Sequence, residues 1–216
     1  MAINQDTRHA NDHAIYIGCS GSGKTQALKQ NVGLRTARHA LYWDIDEDHE
    51  ATRFTNRGDF ARAVAAAVQS GKPFKLAFSG LDTVDNFEWF CRLAWVALNG
   101  KKETYIVIEE LADVSPSVAK ATPEFGRLLR KGRKFGARVL MTSQRGQEIP
   151  KTAFNQVAYT YVGQQTGGDI AKVAKERGIP INELSSLEKL NFFKVTNGAK
   201  APEKIKITPR KSRVKK

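Results

Sequence analysis

Gly18-Cys19-Ser20-Gly21-Ser22-Gly23-Lys24-Thr25 follows the apolar run Ala14-Ile15-Tyr16-Ile17 and precedes Lys24 to Arg38, a stretch with one internal glycine, Gly33. The octapeptide fits G-x-x-x-x-G-K-[ST], and its flanks predict a strand before it and a helix after it. Gly18, Gly21 and Gly23 allow a tight turn whose N–H groups point at one anion, with Ser20 and Ser22 between them. Lys24 would reach the β- and γ-phosphates of a nucleotide, and the Thr25 hydroxyl would ligate Mg²⁺. The phosphates would then sit at a helix N-terminus, where free amides favour negative charge.

A phosphate cradle needs a partner to hydrolyse anything, since the metal must be held and a water aimed. Tyr105-Ile106-Val107-Ile108 reads as a buried strand that ends in Glu109-Glu110. Glu109 is expected to hold Mg²⁺ directly or through its waters, and Glu110 to orient and deprotonate the attacking water. Arg138-Val139-Leu140-Met141-Thr142 reads as another strand, ending in Ser143 and Gln144. At that tip the Gln144 amide would sense the γ-phosphate or hold the water; the alternative is a loop glutamine.

Further strands are read at 40–45, 74–78 and 157–162, with late ones at 192–196 and 204–207. Helices are read at 57–70, from a capping box at Asp85-Asn86-Phe87-Glu88, from Thr122 to about Phe135, at 168–177 and at 184–190. Strands and helices alternate, so the expected fold is α/β, a mainly parallel sheet flanked by helices on both faces. Phe87, Cys91, Ala94, Trp95 and Leu98 share one helical face, which makes Cys91 a packing residue. The expected organisation is a flexible N-terminal arm (1–12), a nucleotide-binding domain (13–198) and a basic tail (199–216). His9 and His13, four apart, fall short of a metal-ligand set. Asp44, Asp46, Glu47 and Asp48 follow the second strand and are expected to be mostly a solvated loop.

The net charge is +13 over 216 residues, and residues 200–216 carry +7 of it. Arg127 to Arg138 adds six basic residues without an acid. Such a balance suits a polyanion, nucleic acid first. Two cysteines are too few for a disulfide framework. No apolar run is long enough to span a bilayer.

Together the glycine-rich loop, Ile106-Val107-Ile108-Glu109-Glu110-Leu111 and the stretch from Arg130 to Arg145 resemble the HerA/FtsK superfamily of DNA-pumping ATPases. Ser143-Gln144-Arg145 matches that superfamily's threonine-glutamine-arginine signature, and Gly146 departs from the proline often found next. Leu187-Glu188-Lys189-Leu190 and Phe192-Phe193-Lys194-Val195 are similar to its closing helix and strand. The resemblance covers about residues 12–197 and implies a RecA-like P-loop NTPase using ATP and Mg²⁺. Without added membrane spans, a DNA-reading domain or a barrel, the chain looks like the genome-packaging ATPases of icosahedral viruses with an internal membrane. Zot-like filamentous-phage ATPases for assembly or DNA export are also similar.

The resemblance further implies a ring, a hexamer, with ATP at subunit interfaces and an arginine supplied by a neighbour. Arg133 is favoured for that arginine over Arg130, Arg127 and Arg145, all of which could instead line a DNA channel or face solvent. Double-stranded DNA would pass Lys120 and the loop Ala112 to Thr122, and the tail would hold DNA or a capsid vertex or portal protein. The setting implied is host cytoplasm or the packaging vertex of the virion. A P-loop nucleotide kinase, and a non-catalytic DNA-binding or capsid-assembly module, are the competing readings.

Overall fold

The computed structural model describes residues 1–208. In chain order its elements are β1 (Ala14–Ile17), α1 (Lys24–Lys29), α2 (Val32–Thr36), β2 (His39–Trp43), β3 (Thr52–Phe54), α3 (Arg57–Ser70), β4 (Phe74–Phe78) and α4 (Val84–Ala97). There follow β5 (Thr104–Ile108), α5 (Pro123–Lys131), β6 (Ala137–Ser143), α6 (Lys151–Gln156), β7 (Tyr159–Val162), α7 (Asp169–Arg177), α8 (Ile181–Ser185), β8 (Asn191–Thr196) and β9 (Glu203–Lys206). Among the described residues the strands form one sheet in the order β3-β4-β2-β5-β6-β1-β7-β8-β9. The pairs from β3 through β7 are parallel, and β8 and β9 are added antiparallel at one edge.

Alternation along the strands divides the core. Ile15, Ile17, Leu41, Trp43, Ile106 and Ile108 face one layer, built from α3, α4, α5 and α6. Ala14, Tyr16, Ala40, Tyr42 and Val107 face the other, covered by α1 and α2. The expected α/β sandwich is therefore the observed one. Its central strands are buried on both faces, which is why β1, β5 and β6 read as continuous apolar runs. Register pairs Ile17 with Ser143 and Ile108 with Met141, so β5, β6 and β1 end side by side.

Local readings differ from the structure where a side chain found a better partner. The single helix expected from Lys24 to Arg38 is two, because the Asn31 side chain accepts from Leu34 N and starts a second helix. Thr83, rather than Asp85, caps α4, accepting from Asn86 N at 3.2 Å. Glu88, free of that capping box, reaches across to the start of α5. There it accepts from Thr122 Oγ1 (2.5 Å), Glu124 N (2.9 Å) and Phe125 N (3.1 Å). The helix expected to run to Phe135 changes to a 3₁₀ turn at Gly132 and stops at Gly136, whose φ is +82°. The short helix expected at 184–190 lies instead at Ile181–Ser185. Strand β3 and helix α6 had no prior reading.

Both ends of the chain are more tied down than expected. Ala2 is buried, and Ile3 exchanges backbone bonds with Leu98 and Gly100. Asp6 N bonds Lys134 O at 2.7 Å, and His9 Nε2 lies 2.6 Å from Gly100 O. The segment read as a flexible arm is thus packed across the N-terminal ends of β5 and β6. At the other end, the boundary drawn at residue 199 is crossed by the sheet. Strand β9 pairs with β8, and Ile207 is buried. The rest of the basic tail, 209–216, lies outside the described residues.

Candidate active site

The loop between β1 and α1 is held from three sides. Gly18 N bonds Ser143 O at the tip of β6, Cys19 N bonds Gln164 O beyond β7, and Leu190 N bonds Ser22 O. Gly21 and Gly23 take φ of +75° and +99°, which a side chain would strain. A Cβ on Gly23 would also come within 2.5 Å of Leu190 Cδ2. Ser20 and Gly21 are exposed at the loop's crest, whereas Ser22 is buried and its hydroxyl has no partner among the described residues. Helix α1 has six residues, so the loop amides, more than a helix dipole, make this cradle favourable to an anion.

Facing the cradle are the two acids beyond β5. Glu110 has φ +50° and ψ +61°, a left-handed conformation that non-glycine residues seldom adopt and that clusters at functional sites. Its Oε1 accepts from Gln144 N at 2.5 Å, and its Oε2 lies 3.6 Å from Lys24 Nζ. The Lys24 and Glu110 side chains are 12% and 19% exposed, open enough for a ligand to reach both. Glu109 is buried, and both of its oxygens have partners. Thr142 Oγ1 donates to Glu109 Oε2 at 2.5 Å and accepts from Glu110 N at 3.0 Å. His49 Nε2 lies 2.6 Å from Glu109 Oε1.

The strand tips therefore bring Lys24, Glu109, Glu110 and Gln144 together, with Thr25 next to Lys24 at the start of α1. Gln144 meets Glu110 through its backbone N–H, and its side chain is exposed. Arg133 is absent from this cluster. It precedes β6, whose seven residues place it about 20 Å from the site at ~3.3 Å per residue. Its guanidinium donates to the carbonyls of Thr7 and His9, holding the N-terminal segment in place. Arg127 lies over the Trp95 ring and pairs with Glu124, Arg130 is exposed, and Arg145 pairs with Glu148 at 2.9 Å. Lys120 is exposed in the loop that leaves Glu110, a loop tied at Val118 and Ala121 to the start of α6.

Two partners of Glu109 escaped the sequence reading. Thr142 carried a signal, as a hydroxyl directly after the apolar run Val139 to Met141. His49 carried none beyond its nearness to the acidic stretch after β2. Of that stretch, Asp44 is not solvated; it is fully buried and accepts from Asp48 N and His49 N. Asp46, Asp82 and Asp113 line a cavity of about 40 Å³ beside Glu109 and Glu110. Burial first, then the charges of Asp82 and Asp46, raise the Asp113 carboxyl above its ordinary value.

Among the described residues no group of three or more His, Cys, Asp or Glu is arranged to hold a metal by itself. The donors at the strand tips are a hydroxyl and carboxylates, all hard oxygens. That set fits Mg²⁺, which keeps several waters and arrives with phosphates instead of sitting in an all-protein cage. No helix among the described residues is long and apolar enough to cross a membrane.

No model of a known protein family matches the chain. It is 31% identical over 204 residues to Protein P9 of Pseudoalteromonas phage PM2, covering 92% of this chain and 91% of that protein. The genome-packaging NTPase B204 of Sulfolobus turreted icosahedral virus 2, solved with AMPPCP, superposes with a TM-score of 0.74 at 14% identity, over 94% of this chain and 99% of B204. The bacterial conjugative coupling protein TrwBΔN70 superposes with a TM-score of 0.61 at 11% identity, over 92% and 85% of the two chains. The fold is that of a P-loop NTPase, as in B204 and TrwB.

Proposed function

The chain belongs to the family of Protein P9 of Pseudoalteromonas phage PM2, and we propose that it is an Mg²⁺-dependent ATPase that drives double-stranded DNA during viral genome packaging. One observation carries the reading: Lys24 and Glu110, from two different strand tips, face each other 3.6 Å apart across a glycine cradle. Both the likeness to the B204 fold and the resemblance of residues 12–197 to DNA-pumping ATPases support it.

In this reading the amides of Gly18 to Thr25, with Ser20 and Ser22, hold the β- and γ-phosphates, and Lys24 neutralises charge on them. Thr25 and Glu109 would hold Mg²⁺, which when bound would offset charge on the phosphoryl oxygens. Glu110 then lets go of Lys24 and takes a proton from the attacking water, whose oxygen bonds the γ-phosphorus as the bond to the β-phosphate oxygen breaks and ADP leaves. Its second oxygen stays on Gln144 N, so the base keeps its aim. Glu110 sits at the head of the loop that carries Lys120, so a loop moved by DNA would move the base as well. DNA contacts would be to phosphates, because a motor must pass any sequence.

A neighbouring subunit would supply the remaining cation across a ring interface. For Arg133 to serve, it would have to release the Thr7 and His9 carbonyls. Arg145 lies two residues past β6 on the edge that bears the site, and among the described residues its side chain is held only by Glu148. It is the arginine with less to give up. A hexameric ring, and capsid vertex or portal proteins as partners, belong to the same proposal. So does a place in host cytoplasm or at the packaging vertex.

Phosphate release with and without double-stranded DNA tests the reading. DNA is expected to stimulate release, and the stimulation to fall steeply with salt as bound cations on the duplex become harder to displace. Transfer of phosphate to a nucleoside acceptor without free phosphate would point to a kinase. Nucleotide binding without turnover would point to an assembly module.

A further inference from the structure

Glu109 is a buried carboxylate whose basic neighbour among the described residues is neither lysine nor arginine but His49. Its two oxygens are held from opposite sides. Thr142 of β6 donates to Oε2, and Oε1 lies 2.6 Å from His49 Nε2. Oε1 accepts in this contact in the tautomer whose Nε2 carries the hydrogen.

His49 is itself held firmly. Its backbone N donates to Asp44 Oδ2 at 3.0 Å, and its carbonyl accepts from Arg53. Asp44 is fully buried, so this anchor does not depend on solvent-exposed groups. The imidazole lies against Tyr42, with ring centroids 4.9 Å apart. The loop from β2 to β3 thus places one hydrogen-bond donor on an acid at the tip of β5, across two strands that are direct neighbours in the sheet.

We infer that His49 is the positioning residue of Glu109, the donor that fixes the carboxylate's orientation toward the Mg²⁺ of the bound nucleotide. The inference rests on the ATPase reading of this site. A carboxylate has about four acceptor positions, so two donors fix its plane and leave the others for metal-bound water. With one donor removed, the carboxylate swings about its last bond, and the metal loses an aligned partner. Orienting groups of this kind typically contribute ~10- to 100-fold in metal affinity.

Two variants separate the donor from the bulk of the ring. His49→Leu fills space without donating, and His49→Gln offers an amide N–H at similar reach. The measurement is fluorescent-ATP binding as a function of Mg²⁺, with a parallel titration in EDTA and a thermal melt of each variant. His49→Leu is expected to raise the Mg²⁺ concentration for half-maximal binding ~10-fold or more, with EDTA affinity within ~2-fold of wild type. His49→Gln is expected to return most of that shift.

An unchanged Mg²⁺ requirement in His49→Leu would overturn the inference. So would equal shifts in both variants with both melts unchanged, since the ring and not its donor would then matter. Should His49→Leu fail to fold, His49→Gln alone decides: a Mg²⁺ requirement near wild type upholds the inference, and a shift of ~10-fold overturns it. If the wild-type chain binds no nucleotide with or without Mg²⁺, the ATPase reading itself has failed. That result is distinct from wild-type binding with an unaltered variant.

Discussion

Glu110→Gln is expected to lower phosphate release by ~10²-fold or more while leaving the affinity for MgATP near wild type, because a positioned base contributes about 10²–10⁴ to such a step. The geometry favours a clean result. Glu110 Oε1 accepts from Gln144 N, and a glutamine carbonyl can accept in the same place, so the backbone that holds the residue need not move. What disappears is the basic oxygen that faces Lys24 at 3.6 Å. Before nucleotide enters, that ion pair competes with the phosphates for Lys24. Its loss in the variant should therefore leave ATP affinity unchanged or raise it. Single-turnover release beside an equilibrium binding titration reads both halves. Turnover near wild type would remove Glu110 from the base role. A fall in binding as large as the fall in turnover would make it a structural residue.

Lys24→Ala should fail in both measurements. Among the described residues Lys24 is the cation in contact with Glu110, and its side chain is 12% exposed, so its charge acts with little solvent screening. Removing a preorganised donor aimed at developing charge costs about 10²–10³ in turnover. The triphosphate also loses a charge-assisted bond worth about 1.5–3 kcal/mol, or roughly 10- to 100-fold in affinity. The diagnostic contrast is between ATP and AMP. AMP lacks the β- and γ-phosphates, so its binding should change little in Lys24→Ala. A variant that loses both ligands equally would indicate a collapsed loop, and one that loses neither would show that Lys24 does not reach the phosphates. Taken together, the pair gives opposite signatures: Glu110→Gln binds without turning over, and Lys24→Ala neither binds well nor turns over.

How legible the molecule was depends on the range of the interaction. The cradle was legible because its demands are local. Glycines at Gly21 and Gly23 with positive φ and a lysine at a fixed spacing belong to one short segment. The parallel sheet was legible because strands buried on both faces become unbroken apolar runs, as in β5 and β6. The acids were legible because an apolar strand ending in two carboxylates follows a complete phosphate-binding loop, although apolar strands often end in an acid.

The parts that were missed are long-range. His49 lies sixty residues from Glu109 in sequence, and nothing in its neighbours announces the contact. Glu88 has the right spacing for a capping box in its own helix, yet it caps α5, thirty-six residues on. Local propensity could not weigh that partner. The N-terminal segment looked loose because it is polar, but its backbone bonds to Gly100 and Lys134 need no side-chain signature. Arg133 shows the same limit. It was read as an arginine supplied to a neighbouring subunit, a role that one chain does not test, and within this chain its side chain holds the carbonyls of Thr7 and His9. A role that depends on a second subunit leaves no mark in one chain's periodicity.

The most direct test of the central claim is a structure of the chain with Mg²⁺ and a non-hydrolysable ATP analogue. The account predicts the γ-phosphate between Lys24 Nζ and the Glu110 carboxylate, with the Lys24–Glu110 pair opened to admit it and Glu109 still joined to His49 and Thr142. A nucleotide bound elsewhere on the chain, or one seated in the loop with Glu109 and Glu110 turned away from its phosphates, would contradict it.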